Sequence, residues 1–297
     1  VTGLNLTNQS GTYDGPGTTF GVLPSGETST RNPGYYWLKD VATDSSPAKQ
    51  FSVDWNLLDT YNVLGNGGHA ETGIHVKLTM LGGYNSVSLA SGMPPQKSVD
   101  SPKTYRYVVV KNEGSNLNSI FTSVIEPYRE NSNIASIEAL PVTENGQTAD
   151  SSAVRAIKVT LKNGRTDYVV NALDNTRKYR VADLFDFSGF FGVYSQKDGK
   201  EVESYLNDGT RIGNTVSSTA AVTGKVGSFT QDLSTENYID IRPDQNINPD
   251  DLAGKTIYVD NDHERNAVYQ IKSAAAQSDG TIRLNIGDVT TVRSWVD

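Results

Sequence analysis

The sequence has no cysteine and few residues of several other kinds that carry chemistry. Without cysteine, the chain has no disulfide, no thiolate nucleophile and no cysteine-ligated zinc. Only three histidines are present, so few side chains titrate near neutral pH. No apolar run is long enough to cross a bilayer, and residues 1–11 lack the basic and apolar regions of a signal peptide. The absence of cysteine is compatible with export from a bacterium. We expect a protein that is secreted or held at the bacterial cell surface, whose signal would lie upstream of Val1.

Basic residues are fewer than acidic ones, and they do not cluster. The chain has 26 Lys and Arg against 34 Asp and Glu, which gives a formal net charge of −8. This balance argues against nucleic acid and anionic membranes as partners. An anionic polysaccharide stays possible as a ligand, because a local cationic cleft can bind it in an acidic protein.

The composition favours strands and turns over helices. Only 36% of the residues are hydrophobic, while 27 Gly and 11 Pro accompany abundant Asn, Ser, Thr and Asp. This composition is typical of many short strands joined by polar turns. We predict an all-β fold, with a large antiparallel β-sandwich at residues 1–228 and a small β-module at residues 229–297. The boundary is placed after the small-residue segment SSTAAVTGKVGS.

The predicted sheet core lies at residues 104–140. Tyr105 to Val110 and Ile120 to Glu126 are rich in β-branched and aromatic residues, and Gly114 to Asn116 lie between them. We predict that these two strands form a hairpin, followed by an isoleucine-rich strand. Further hairpins are predicted around Asn163-Gly164 and around residues 197–200. The proline-containing segment 88–103 is predicted to be a connector without regular structure.

Two stretches alternate between apolar and polar residues. In the first, Phe51, Val53 and Trp55 alternate with polar side chains, and in the second the apolar positions run from Ile74 to Met80. This spacing predicts half-buried strands. The alternation places His75 on the face of its strand opposite the core.

The histidines are the main candidates for acid–base chemistry near neutral pH. His69 follows a glycine-rich loop at residues 65–68, and His75 lies on the polar face of a predicted strand. The alternative for both is an ordinary solvated or packed histidine. His263 follows an Asp-Asn-Asp sequence in a predicted turn, where a structural role is favoured. We therefore name His69 and His75 as candidate catalytic residues.

Other ligand sites have weaker support. Acidic and amide side chains cluster at residues 260–264, but this segment lacks the glycine of a calcium loop, so we predict a turn and no metal or cofactor. Tyr35, Tyr36 and Trp37 are consecutive aromatic residues at the start of a predicted strand, Tyr35 to Val41. Exposed aromatic rings can stack on sugars. Consecutive strand residues point to opposite faces, so at least one of these rings is expected to be buried.

Four segments together resemble the C-terminal β-region of heparinase II/III-like polysaccharide lyases. They are FSVDWNLLDTYNVLG, IHVKLTMLGG, IFTSVIEPYREN and AGKTIYVDNDHERNAVYQIKSAAAQSDGTIRLNIGDVTTVRS. The resemblance extends from about residue 34 to the end of the chain. It implies β-elimination on uronic-acid polysaccharides, in which a base removes the C5 proton and an acid protonates the leaving oxygen.

Members of that family join an N-terminal α/α toroid to a C-terminal antiparallel β-sandwich. This sequence has neither a helical region nor the HxHxD motif of the family, so the resemblance transfers no catalytic residue. It implies a sandwich that lines one side of the cleft and partners a toroid domain or chain. Arg31 and Tyr36 are candidate substrate-binding residues in this interpretation, beside His69 and His75.

The sequence therefore predicts the accessory, C-terminal β-part of a secreted polysaccharide lyase, which is not active alone. Two alternatives stay open. A stand-alone carbohydrate-binding module would need an exposed aromatic platform, and a structural domain of a cell-surface protein would show neither binding nor turnover.

Overall fold

A computed structural model describes residues 1–18, 34–65, 67, 71–93, 104–217, 221–261 and 268–292. The fold is all-β with antiparallel strand pairing, which confirms the predicted class. Within the described ranges the only helices are two 3-10 turns, Gly34–Trp37 and Pro249–Leu252. The chain divides into two compact units, Val1–Val216 and Ser217–Asp297. The assignment of two domains meeting at residue 228 stays a prediction.

The first unit contains three sheets in its described part. Their strands, in chain order, are β1 Thr7–Asn8, β2 Leu38–Asp44, β3 Gln50–Leu58, β4 Glu71–Leu81, β5 Ser86–Gly92, β6 Tyr105–Lys111, β7 Thr122–Arg129, β8 Ile134–Ala139, β9 Val142–Glu144, β10 Gln147–Thr148, β11 Val154–Leu161, β12 Arg165–Ala172, β13 Tyr179–Val181, β14 Phe185–Lys197, β15 Lys200–Ile212 and β16 Thr215–Val216.

Two of these sheets pack face to face as a sandwich. One has the strand order β1-β2-β5-β6, and the other has the order β3-β4-β7. Phe51, Val53 and Met80 from the second sheet share a buried cluster with Val87 and Leu89 from the first. The alternation predicted for β3 and β4 is thus the one that builds this core.

The structure corrects two strand predictions. β6 and β7 do not form a hairpin, because β6 pairs with β5 while β7 pairs with β4 in the other sheet. The segment assigned to an irregular connector begins with Ser88 to Gly92, which belong to β5, and Ala90 in this strand is fully buried. Small Ser, Ala and Gly residues suit this central strand because the sheet is covered on both sides.

A nine-stranded sheet completes the first unit. Its main path is β10-β9-β13-β14-β12-β11-β8, and β15 and β16 continue from β14. The hairpins predicted at Asn163-Gly164 and at residues 197–200 are present as β11–β12 and β14–β15. Gly164 has φ +86°, and Asp198 and Gly199 also have positive φ, as tight hairpin turns require. The sheet curls around a core that includes Phe187, Tyr194 and Ile212.

The sandwich and the nine-stranded sheet share a smaller apolar cluster. Leu81 at the end of β4 packs with Ile137 of β8 and Val159 of β11. These side chains are less than a tenth exposed. The outer face of the nine-stranded sheet is thus partly covered at its β8 edge.

The second unit is a separate, smaller set of short strands. They are β17 Gly224–Phe229, β18 Asn237–Pro243, β19 Thr256–Tyr258, β20 Val268–Gln270, β21 Ser273–Ala276 and β22 Ile282–Gly287. One sheet has the order β17-β18-β22-β21, and β19 pairs with β20. Leu252, Ile271 and Leu284 form its core.

Candidate functional site

The structure places only two of the four predicted site residues. Arg31 and His69 lie outside the described residues, as does His263. Tyr36 is half-buried in the 3-10 turn Gly34–Trp37, while the flanking Tyr35 and Trp37 are 46% and 38% exposed. The strand predicted to begin at Tyr35 begins at Leu38, so strand alternation does not decide which of these rings is buried.

His75 lies on β4, the central strand of the sheet β3-β4-β7. It sits directly opposite Asn56 of β3 on one side and Tyr128 of β7 on the other. Its neighbours in the chain, Ile74 and Val76, belong to the opposite face of the sheet, which carries Phe51 and the rest of the sandwich core. The prediction that His75 faces away from this core is confirmed.

His75 contacts one side chain from each neighbouring strand, Asp54 of β3 and Tyr128 of β7. We call these three residues the Asp54 cluster. The Nδ1 atom of His75 lies 3.1 Å from Oδ1 of Asp54. The Tyr128 hydroxyl donates a hydrogen bond to Oδ2 of the same carboxylate. The imidazole and phenol rings stack with centroids 4.8 Å apart and an interplanar angle of 12°. One carboxylate therefore orients both rings.

The carboxylate acts differently on its two partners. The hydrogen bond to Asp54 raises the pKa of the Tyr128 hydroxyl to about 12, with smaller contributions from burial and from the negative charges of Asp54 and Glu126. Tyr128 therefore keeps its proton at neutral pH. A carboxylate at Nδ1 favours the tautomer with hydrogen on that nitrogen, which leaves Nε2 of His75 as the acceptor. The histidine and aspartate side chains are 26% and 33% exposed, so solvent reaches the cluster.

Charged residues continue along the same face of the sheet. Lys77 lies between Asp54 on β3 and Glu126 on β7 in the strand register. It is half-buried and forms no ion pair with any residue that the structure describes. Glu126 is only 8% exposed, and it accepts hydrogen bonds from the turn at Ser132 to Ile134. This face of the sheet thus combines a hydrogen-bond acceptor on His75, a tyrosine whose hydroxyl hydrogen is held by Asp54, and a nearby cation, Lys77.

Sequence reasoning missed Asp54 and Tyr128. Alternation in β3 does place Asp54 on the polar face, opposite to Val53, so the sequence contained half of the signal. Tyr128 could not be connected with His75 without knowing that β7 pairs with β4. Strand register, which depends on distant residues, decides this contact.

We also searched the described residues for metal sites and for membrane-spanning helices. In the ranges given above, no group of three His, Asp or Glu side chains is placed to hold a metal ion. No helix in the same ranges is long and apolar enough to span a membrane.

Comparison with known families identifies a different part of the chain. Residues 142–231 match the family model described as the endo-acting ulvan lyase C-terminal domain. Comparison with curated proteins and with solved structures gave no match. The matched segment begins with β9 and ends just after β17, so it contains most of the nine-stranded sheet but not the Asp54 cluster.

The match concerns 90 of the 297 residues. It supports a polysaccharide lyase, as the sequence predicts, but the family that it names is not the heparinase II/III-like one. The resemblance to heparinase II/III-like lyases and the toroid partner therefore stay predictions. Residues 142–231 of this chain are similar to the C-terminal domain of a polysaccharide lyase.

Proposed function

We propose that this chain is the C-terminal β-part of an extracellular polysaccharide lyase that acts on uronic-acid polysaccharides by β-elimination. In this proposal the chain binds the polysaccharide and shapes the cleft, and a separate catalytic domain or chain, such as an α/α toroid, breaks the glycosidic bond. The observation that carries the proposal is the match of residues 142–231 to a lyase C-terminal domain. The substrate class follows from the chemistry of lyases, which need an acidic proton beside a uronate carboxyl group.

The Asp54 cluster supports a binding role more strongly than a role for Tyr128 as a base. A base that removes the C5 proton has to be unprotonated at the working pH. Tyr128 donates its proton to Asp54 and has a pKa of about 12, so little tyrosinate forms near neutrality. His75 can still accept a hydrogen bond at Nε2, and Lys77 carries a charge that suits a uronate carboxylate. These groups fit the recognition of an acidic sugar at the cleft wall.

A second candidate function, a stand-alone carbohydrate-binding module, is favoured by exposed tyrosines on the sandwich. Tyr105 and Tyr107 of β6 share one sheet face and are 47% and 40% exposed. A Cβ atom added to Gly92 would lie 2.7 Å from the ring of Tyr107, so the ring lies against the sheet at this glycine. Flat, exposed rings of this kind can stack on the apolar face of a sugar.

The experiment that tests the proposal measures binding and turnover on the same samples. The chain alone is mixed with ulvan, alginate, hyaluronan, chondroitin and heparin, and near-ultraviolet absorbance reports the unsaturated uronate. Affinity electrophoresis in gels containing each polysaccharide reports binding. We expect retardation by at least one acidic polysaccharide without turnover.

Turnover by the chain alone, lost in His75→Ala, would contradict the accessory role. If the chain bound none of the acidic polysaccharides, the proposal that it binds the substrate would be contradicted. Retardation by neutral glycans to the same extent as by acidic ones would favour the stand-alone binding module.

A further inference from the structure

We infer a second polysaccharide-binding site on the outer face of the nine-stranded sheet, which takes an acidic sugar residue. It consists of Arg155, Asn171, Phe191 and Asn207, with Tyr205 beside them, and we call it the outer row. This inference rests on the proposed function, and it names a site that lies within the segment similar to a lyase C-terminal domain.

The strand register places these residues side by side. Arg155 of β11 is opposite Asn171 of β12, Asn171 is opposite Phe191 of β14, and Phe191 is opposite Asn207 of β15. Directly paired strands lie about 4.8 Å apart, so the row extends about 14 Å across the sheet. Alternating residues from the same strands face the buried core of this sheet instead. The row is therefore a continuous polar and aromatic line on the outer face, and its Arg155 end lies close to Tyr84, beside the part of this face that packs against the sandwich.

The middle of the row offers the two kinds of contact that a sugar ring needs. Phe191 lies 6.2 Å from the ring of Tyr205, at an angle of 60°, and Tyr205 is 53% exposed. Asn171 is exposed and donates its Nδ2 hydrogen to the Phe190 carbonyl at 3.0 Å, which fixes the amide and leaves its oxygen as an acceptor. Aromatic faces bind the apolar side of a sugar, and amides bind its hydroxyl groups.

Arg155 gives the row its preference for an anion. The side chain is half-buried, and its Nε atom is buried without a hydrogen-bond partner. It forms no ion pair with the described residues. Arg165, on the same face of the sheet, instead binds Asp167 at 2.6 Å and Glu203 at 3.1 Å. Because a half-buried charge without a counterion is unfavourable, an incoming carboxylate or sulfate would be stabilised here by the guanidinium.

The test compares Arg155→Gln with Arg180→Gln, which removes the same charge from an exposed arginine of β13 that is paired with Asp186. Dissociation constants for the full chain are measured by calorimetry with four probes: ulvan, polygalacturonate for carboxylate alone, dextran sulfate for sulfate alone, and neutral dextran. We expect Arg155→Gln to weaken binding of the acidic probes about tenfold, as the loss of one charge-assisted hydrogen bond implies. Arg180→Gln should change binding less than about twofold.

A second pair of variants tests the outer row even if the Arg155→Gln protein does not fold. Tyr205→Ala removes an exposed ring from the row, and Tyr258→Ala removes a ring of similar exposure, 64%, from the second unit. We expect only Tyr205→Ala to weaken binding. If Arg155→Gln lowers the affinity for polygalacturonate but not for dextran sulfate, the ligand group is a carboxylate. If it lowers the affinity for dextran sulfate but not for polygalacturonate, the ligand group is a sulfate.

Two results would overturn the inference, and they differ in what they say of the proposed function. If the wild-type chain binds acidic probes but Arg155→Gln and Tyr205→Ala bind them as tightly as their controls, the outer row is refuted and the proposed function stands. If the wild-type chain binds no acidic probe, both proposals are wrong.

Discussion

Replacement of Glu126 by alanine should destabilise the first unit more than the same replacement of any exposed carboxylate residue on the neighbouring strands. Glu126 lies in the middle of β7, and its side chain organises the turn that leads into β8. Its Oε1 atom accepts hydrogen bonds from the backbone amides of Asn133 at 2.7 Å and Ile134 at 3.1 Å, and Oε2 accepts one from the Ser132 hydroxyl at 2.8 Å. This turn connects the sandwich to the nine-stranded sheet.

The expected magnitude follows from these three bonds. Hydrogen bonds to a charged group contribute about 1.5–3 kcal/mol each when measured singly, but bonds that share one carboxylate are not additive. Glu126→Ala also leaves two backbone amides without their acceptor in a partly buried turn. We therefore expect the free energy of unfolding to fall by about 3 kcal/mol, and by about half of that in Glu126→Gln, which keeps an acceptor oxygen.

Urea unfolding measures this change if the signal is limited to the first unit. In a Trp295→Phe background the remaining tryptophans, Trp37 and Trp55, both belong to that unit. Glu138→Ala is the matched control, because Glu138 is exposed and pairs with Lys158 at 3.3 Å, a contact that contributes no more than about 1 kcal/mol. The reasoning is refuted if Glu126→Ala costs no more than this control.

Two further predictions concern carboxylates that perturb a neighbour. Asp54→Asn should return the pKa of Tyr128 from about 12 towards its ordinary value, so at about pH 10.5 the phenol is largely ionised only in the variant. NMR of ring-labelled tyrosine, with the Tyr128 signal assigned from Tyr128→Phe, measures this ionisation. Equal ionisation of Tyr128 in the wild type and the variant would contradict the prediction. Arg283 binds both oxygens of Asp240 and lowers the pKa of that carboxyl group. A lowered pKa stabilises the fold above the unfolded value of about 3.9, and this stabilisation is lost as pH falls through the folded value. Asp240→Asn should therefore destabilise the second unit at neutral pH, with a difference from wild type that shrinks below about pH 4; a difference independent of pH in acid unfolding would contradict the assignment.

Local sequence patterns were sufficient where a structure is decided by neighbours in the chain. The Asn163-Gly164 turn and the turn at residues 197–200 both connect paired strands, because positive φ at these positions closes a tight hairpin. Alternation in β3 and β4 separated core residues from polar ones. These features depend on a few consecutive residues, so the sequence contains them directly.

The same patterns failed where distant strands compete. Gly114 and its neighbours resemble a hairpin turn, yet the strands on either side enter different sheets. β5 was missed because its Ser, Ala and Gly residues have low strand propensity, although the strand is buried between β2 and β6. Packing on both faces favours small side chains there, and this information is absent from the segment itself.

The Asp54 cluster depends on the strand pairing that the sequence did not reveal. If β7 had paired with β6, Tyr128 would have lain in a different sheet from His75. Pairing of β7 with β4 instead places Tyr128 directly opposite His75 and within reach of the carboxylate on β3. The residue types could be read from the chain, but their proximity is created by the crossing from one sheet of the sandwich to the other. The connection at residues 112–121 is therefore a determinant of the site as well as of the fold, because it delivers β7 to the sheet that carries Asp54 and His75.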